Sequence, residues 1–273
     1  MLIAFDFGIS NTDIATFQDG SLIFYSSPSK IGRLSIGYIL ELIEEHKIQL
    51  KNIKFIGVTG GKSSDLEGYI NSIKVMPLNE IEAIGAGAKY IYKLTNDPAL
   101  IISAGTGTAC IQSSENNFNH LGGIAVGGGM LEGLGSLLFK NARGQEINEF
   151  AVQGSRDKLD LLIGDVVNTI GALSPEITAV NFGKAKITSE DSMENTSAAL
   201  CNMVGEVIGT VAYLNALLIG TSKVCFLGRT SYLSEVTKGI DARLELAGIS
   251  GQYNDHREYG NVIGVIEHLK NYG

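Results

Sequence analysis

Apolar residues in the first 60 positions come in short blocks broken by small polar turns. Residues 2–7 are apolar except for Asp6, and 13–17 resume the β-prone pattern after a turn carrying Gly8, Ser10, Asn11 and Thr12. Residues 21–26 read as a third strand. The period then changes: Ile36, Ile39, Leu40 and Ile43 recur on one face of a helix over 35–47. "NIKFIGVTGG", residues 52–61, is a buried strand ending in a glycine pair, and "NEIEAIGAGAKYIYKL", 79–94, is a helix rich in small residues. The second half restarts the scheme. "ALIISAGTGTACIQS" repeats an apolar strand, a Gly/Thr/Ser turn at 103–108 and a returning strand at 109–112. Two such units, each followed by further strands and helices, predict a duplicated α/β architecture with a ligand cleft between lobes 1–95 and 96–273.

The second half is less regular. Residues 155–200 are mostly helical in pattern but more polar, and "TSEDSMENTS" within them predicts an exposed loop or a helix start. From 197 to 219 runs a long apolar helix notched by Gly205 and Gly209, a spacing that lets a neighbouring backbone approach closely. Asn202, Glu206 and Asn215 inside it predict a buried interdomain helix. "KVCFLGRTS" is a strand ending at Gly228, and "EYGNVIGVIEHL" closes the chain as a helix.

Composition narrows the class. With 44% hydrophobic and 18% charged residues over 273 positions, the chain reads as globular and soluble. A net charge of −8 argues against a nucleic-acid or acidic-membrane surface, so an anionic substrate needs a local basic or N–H-rich pocket. Cys110, Cys201 and Cys225 lie too far apart for the pairs that metal sites use, and read as small core hydrophobes of a reducing compartment. No basic region precedes the first apolar stretch, and no run reaches the ~18 apolar residues of a membrane span. A cytoplasmic location is expected.

Four glycine clusters call for one explanation: Gly8 with Ser10, "TGG" at 59–61, "GTGT" at 105–108 and "GGIAVGGGMLEGLG" at 122–135. Singly, each is more often a turn than a site. The opening hairpin alone fits a Gly-Asn turn with a solvated acid as well as a tip whose N–H groups meet an anion while Asp6 holds a hydrated divalent cation. Together, with two at the tips of matching hairpins, they fit a nucleotide between two lobes, because backbone N–H donors and hydroxyls bind phosphates without bulk. The triplet 127–129 runs into a helical segment and so directs a helix N-terminus at ligand. Glu80 begins a helix after Pro77, where an acid either stabilises the helix dipole or serves as a base.

In this order the motifs resemble the acetate-kinase, sugar-kinase, Hsp70 and actin superfamily, and within it are similar to the type II pantothenate kinases. The residues that carry the likeness are Asp6-x-Gly8-Ile9-Ser10, Thr59–Gly61, Glu80-Ile81-Glu82-Ala83, Gly105–Thr108, Gly127–Met130 with Gly133–Gly135, Asn181–Gly183 and Val204–Val207. They hold their order from residue 2 to about 265.

The resemblance implies a two-lobed actin-like, ribonuclease H-like fold and an ATP- and Mg²⁺-dependent kinase acting on the primary hydroxyl of pantothenate or a similar molecule, the first step of coenzyme A biosynthesis. It implies that Asp6 lies near Mg²⁺, that Gly8, Ser10, Asn11, Gly105, Thr106, Gly107 and Thr108 cradle phosphate, and that Gly127, Gly128, Gly129 and Gly228 flank the nucleotide. Glu80 becomes the general base, His120, Gly122 and Gly123 face the acceptor, and the chain becomes a homodimer. The chain departs from the family twice. Asp13 stands where members carry a lysine, and His120 stands where they carry an arginine. Two other expectations keep the fold: a kinase of an amino sugar or another polyol, and a nucleotide-binding regulator without transfer.

Overall fold

The computed structural model describes all residues except 31–33, 62, 67, 116, 141–142, 169–173 and 273. The chain opens with strands β1 (Leu2–Phe7), β2 (Asn11–Gln18) and β3 (Ser21–Pro28), then helix α1 (Ile36–Glu45), β4 (Phe55–Thr59), β5 (Tyr69–Ile70), β6 (Ile73–Pro77) and α2 (Glu80–Tyr92). It continues through β7 (Ala99–Ala104), β8 (Thr108–Ser114), β9 (Asn117–Ile124), α3 (Gly128–Phe139), α4 (Gly144–Gln153), β10 (Leu161–Leu162), the short α5 (Ile163–Val166) and β11 (Thr178–Val180). The long α6 (Met193–Leu218), β12 (Lys223–Leu227), α7 (Ser234–Glu245), β13 (Ser250–Gln252) and α8 (Gly260–Lys270) complete it.

The duplication is visible in the strand order. One sheet runs β3-β2-β1-β4-β6-β5 and the other β13-β12-β7-β8-β9, so β1, β2, β3, β4 and β6 correspond in order to β7, β8, β9, β12 and β13. The elements stack in five layers. On β1, Ile3, Phe5 and Phe7 turn toward Ile39, Leu42 and Ile43 of α1. Leu2 and Ala4 turn the other way, onto Val262, Val265 and Leu269 of α8. Period-two alternation therefore sends Asp6 to the α8 side, between the sheets. In the second sheet, Ile101, Ile111 and Cys225 meet Ile84 and Ala88 of α2, whereas Leu100, Ile102, Val224 and Phe226 meet α6 and α7.

The middle layer is the pair α2 and α8, each following the last strand of its own half, β6 and β13. Their backbones touch: a Cβ on Gly264 would overlap the Ala83 carbonyl, and one on Gly87 would overlap the Gly260 carbonyl. Although α8 is last in sequence, it packs on β1 and β4 of the first sheet.

Two expectations are corrected. The stretch 155–200 is not mainly helical among its described residues: up to Ser192 it holds a three-residue 3-10 helix (Arg156–Lys158), one four-residue α-helix, two short strands and turns. A buried polar network orders it instead. Asp160 accepts from the Phe182 amide at 2.8 Å and the Asn202 amide at 3.0 Å, and Arg156 donates to Thr178 at 2.7 Å. Its last residues begin α6, where the Ser192 hydroxyl caps the Asn195 amide. Nor does α6 lie between lobes. It packs against α7, α4 and the outer face of the second sheet, and the Gly205–Gly209 notch takes the α7 backbone at Val236 and Ile240. Among the described residues it is the one helix long and apolar enough to cross a membrane, and two-thirds of that window is covered by the rest of the chain.

Candidate active site

Two hairpin tips face each other across a cleft of about 1840 Å³. The β1–β2 tip carries Gly8, Ser10 and Asn11 and is tied back by Ser29, whose hydroxyl donates to the Gly8 carbonyl at 2.7 Å and whose amide donates to the Ser10 carbonyl at 3.0 Å. The β7–β8 tip carries Gly105, Thr106, Gly107 and Thr108. The Ser10 and Thr106 hydroxyls meet at 3.2 Å, so the two lobes touch where the cradle was expected.

The second tip is braced from behind. Gly128 and Gly129 amides donate to the Gly105 and Thr106 carbonyls at 2.8 and 3.0 Å, the Thr230 hydroxyl adds a bond to the Gly105 carbonyl at 2.9 Å, and the Gly107 carbonyl accepts from Gly105. In a trans peptide the N–H points opposite to its C=O. With these carbonyls turned toward α3 and Thr230, the Thr106 and Gly107 amides form the loop's opposite edge. The glycine triplet 127–129 thus holds the loop. Its amides at 128 and 129 are already bonded to that loop rather than presented to a ligand.

Beneath the tips lies a set of charges. The β1–β2 register pairs Asp6 directly with Asp13, on one face of the sheet, and like charges so placed repel. Each acid has its own relief. Arg229, on the turn after Gly228, forks onto Asp13 with both N–H···O distances at 2.7 Å and adds Ser26 at 3.1 Å. Asn261, in the first turn of α8, donates to Asp6 Oδ2 at 2.9 Å. Asp6 still titrates far above an ordinary carboxylate: burial, then the charges of Asp13 and Glu80, push it up to about 7. Gly60, at φ +73°, packs its Cα against the other Asp6 oxygen, where no side chain would fit.

Glu80 is the first residue of α2, whose start is capped by the Asn79 side chain accepting from the Ile81 amide at 2.8 Å. It stands exposed on the cleft wall with Asp6, Ser103 and His120. His120 is on β9, next to a bulge: Ile111 pairs with His120 but Cys110 with Gly122, leaving Leu121 over. The bulge lets Leu121 and Ile124, three apart, both reach the α6 side, while Phe118 lies on Gly85 of α2. His120 and Gly123 line the cleft with Gly8, Asn11, Thr108 and Gly228. Sequence reasoning missed Arg229 and Asn261. The only sequence signal for them is their place next to a glycine at the start of a turn or helix.

Two equivalent sheets, a central helix pair and glycine-tipped hairpins around one cleft define an actin-like ATPase fold of the sugar-kinase kind. Solved structures agree. The activator of 2-hydroxyisocaproyl-CoA dehydratase from Clostridium difficile, with bound ADPNP, superposes with a TM-score of 0.67 at 14% identity, covering 99% of this chain and 96% of that one. Lmo2764, a putative N-acetylmannosamine kinase from Listeria monocytogenes, gives 0.58 at 14% identity, covering 100% and 99%.

The sequence pattern of the Fumble family matches residues 10–238. A type II pantothenate kinase of Bacillus cereus strain G9842 is 34% identical over 245 residues, 84% of this chain and 83% of that protein. Another, of Oceanobacillus iheyensis, is 34% identical over 180 residues, 63% of this chain and 66% of its own length. The chain belongs to this family, the type II pantothenate kinases.

Proposed function

We propose that this protein transfers the γ-phosphoryl group of ATP to the primary hydroxyl of pantothenate or a close analogue. The observation that carries the proposal is the meeting of Asp6, Glu80 and both glycine tips around one cleft in a member of this family. Phosphoryl transfer passes through a loose transition state, so positioning and charge neutralisation matter most. The Thr106–Gly107 amide edge and the Ser10 and Thr106 hydroxyls supply donors for the phosphates. Gly128, Gly129 and Gly228, which line the cleft, flank the nucleotide, while Gly127, expected with them, is buried against the Gly105–Gly107 loop. Glu80, on the cleft wall, takes the hydroxyl proton as the new bond forms.

Mg²⁺ fits this chain at Asp6, a half-buried carboxylate crowded by other acids, which a cation would relieve. Among the described residues no three metal-binding side chains gather, so the fit is to an ion that keeps water and phosphate ligands. When bound, that ion would neutralise developing charge on the phosphates.

His120 and Gly123, which line the cleft, form the acceptor wall, whereas Gly122, expected beside them, lies outside its lining; His120 is the reason to keep a second acceptor class in view. Histidine cannot make the bidentate fork that arginine offers a carboxylate, which favours a neutral polyol or amino sugar. The homodimer belongs to the same proposal: Leu214, Leu217 and Leu218 form an exposed stripe at the end of α6, at helical spacing for a like helix. The lobes are 1–95 and 96–273, and the chain works in the cytoplasm on small molecules, without nucleic acid or membrane.

ATP consumption measured with pantothenate, pantetheine, N-acetylglucosamine and simple polyols tests the reading. Turnover that depends on pantothenate supports it. Turnover with a sugar moves the acceptor, and ATP binding without acceptor-dependent turnover identifies a regulator.

A further inference from the structure

Asp6 is the last residue but one of β1, in register with Asp13 on one side and Thr59 on the other, and its side chain lines the cleft. Two contacts fix it. Oδ1 lies over Gly60, whose missing Cβ makes the room, and Oδ2 accepts the Asn261 amide at 2.9 Å. No other side-chain hydrogen bond to Asp6 is present among the described residues. The neighbours in charge are Asp13, directly opposite in the sheet, and Glu80; both are acids and repel Asp6. Arg229 is committed to Asp13 by its fork. The orientation of the Asp6 carboxylate therefore rests on one neutral donor.

That donor is on a rigid mount. Asn261 follows Gly260, whose carbonyl lies against Gly87 of α2, and one turn later Gly264 lies against Ala83. The helix that begins with Glu80 and the helix that begins at Gly260 are thus in backbone contact within about two turns of both starts. The amide that holds Asp6 and the carboxylate on α2 are carried by one interlocked pair of helices.

We propose that Asn261 is a positioning residue: it aims the Asp6 carboxylate at a divalent cation shared with nucleotide phosphates, and the α2–α8 contact keeps that aim in register with Glu80. The inference rests on the kinase reading of Asp6 given above. Outer-shell partners that orient a metal-binding carboxylate typically carry a ten- to hundredfold effect on metal affinity. Asn261 makes no use of charge, so its removal leaves the electrostatics of the phosphate tips intact.

The test is Mn²⁺ binding, followed by electron paramagnetic resonance in the presence of a saturating non-hydrolysable ATP analogue. It is run on the full chain and on Asn261→Leu, Asn261→Ala and Asp6→Asn. Metal-free binding of the analogue and thermal melting are measured alongside. Asn261→Leu keeps the branching at Cγ and the number of side-chain heavy atoms, though with larger methyl groups, and removes the donor; it is expected to weaken Mn²⁺ binding about tenfold. Metal-free nucleotide affinity should stay within about twofold, and kcat should fall while the acceptor KM holds. Asn261→Ala, which places the best helix former in the first turn, should show the same pattern if the leucine variant does not fold. Unchanged Mn²⁺ affinity in a folded Asn261 variant, beside a clear loss in Asp6→Asn, overturns the positioning role and leaves the kinase reading standing. Unchanged Mn²⁺ affinity in Asp6→Asn overturns both. A matched loss of metal-free nucleotide binding and of melting temperature in the Asn261 variants shows a merely structural contact, and overturns the proposal.

Discussion

Asp6 is held at a cost to stability, and that cost can be measured. Its carboxyl titrates at about 7 in the folded chain against 3.8 as a free group. Between those values the native state binds the proton more tightly than the unfolded state, so the contribution of Asp6 is most favourable below pH 4 and is lost as pH rises through about 7. Asp6→Asn, uncharged and of the same shape, should therefore raise the melting temperature at pH 8, by an amount equivalent to roughly 4 kcal/mol at most, and change little at pH 4. The same variant should abolish acceptor-dependent ATP turnover. A group that weakens the fold while supporting the chemistry is expected at a functional site. His120 offers a second substitution. His120→Arg should lower the KM for pantothenate by about tenfold if the carboxylate lies there, because guanidinium forks onto both oxygens. An unchanged KM would place the carboxylate elsewhere.

The strands and helices around the cleft were legible in the sequence because their patterns serve a core on both faces. The run 2–7 is apolar throughout except for Asp6 because β1 is covered by α1 on one side and α8 on the other. The glycine tips were legible only together, because two of them recur at the ends of matching hairpins; singly each reads as a turn. What could not be read was pairing at distance. Asp13 looks like a charge lost from the phosphate site until Arg229, 216 positions later, is seen forked onto it. The stretch 155–200 was misread because its polar residues face one another in a buried network, which helical periodicity does not encode.

Contacts between elements carry two predictions. Gly264→Ala would push a methyl into the Ala83 carbonyl and force α2 and α8 apart, costing about 3 kcal/mol, readable as a lower urea midpoint. Gly107→Val is different. The added Cβ would lie 3.3 Å from the Ile124 carbonyl, a crowded but bearable approach, so the chain should fold and lose ATP affinity by tenfold or more in calorimetry. Undiminished affinity would make the loop only a turn.

Among the described residues, the bonds that hold the molecule across its cleft include the Ser10–Thr106 contact, the Asp13–Arg229 fork with Ser26 and the Asp6–Asn261 bond, and the paired helices α2 and α8 lie between the sheets. Dimer formation should not involve the Gly205–Gly209 notch, which α7 already fills. If the leucine stripe is the contact, light scattering at micromolar concentration should give twice the chain mass, and Leu217→Glu should give the monomer. A monomeric parent chain would remove that stripe from consideration.

The two halves share one strand order, with Asp6 two residues before Gly8 and Ser103 two residues before Gly105. Were the halves chemically identical, a triphosphate could lie in the cleft in either of two senses related by the internal twofold. The acid on one strand and the hydroxyl on its twin break that symmetry, and Glu80 deepens the difference on the same side. Only one direction along the cleft then runs from neutral to anionic. On the proposed kinase reading, a chain of phosphates with a cation at one end would have a single way to lie along that gradient, with the acceptor at its acidic end.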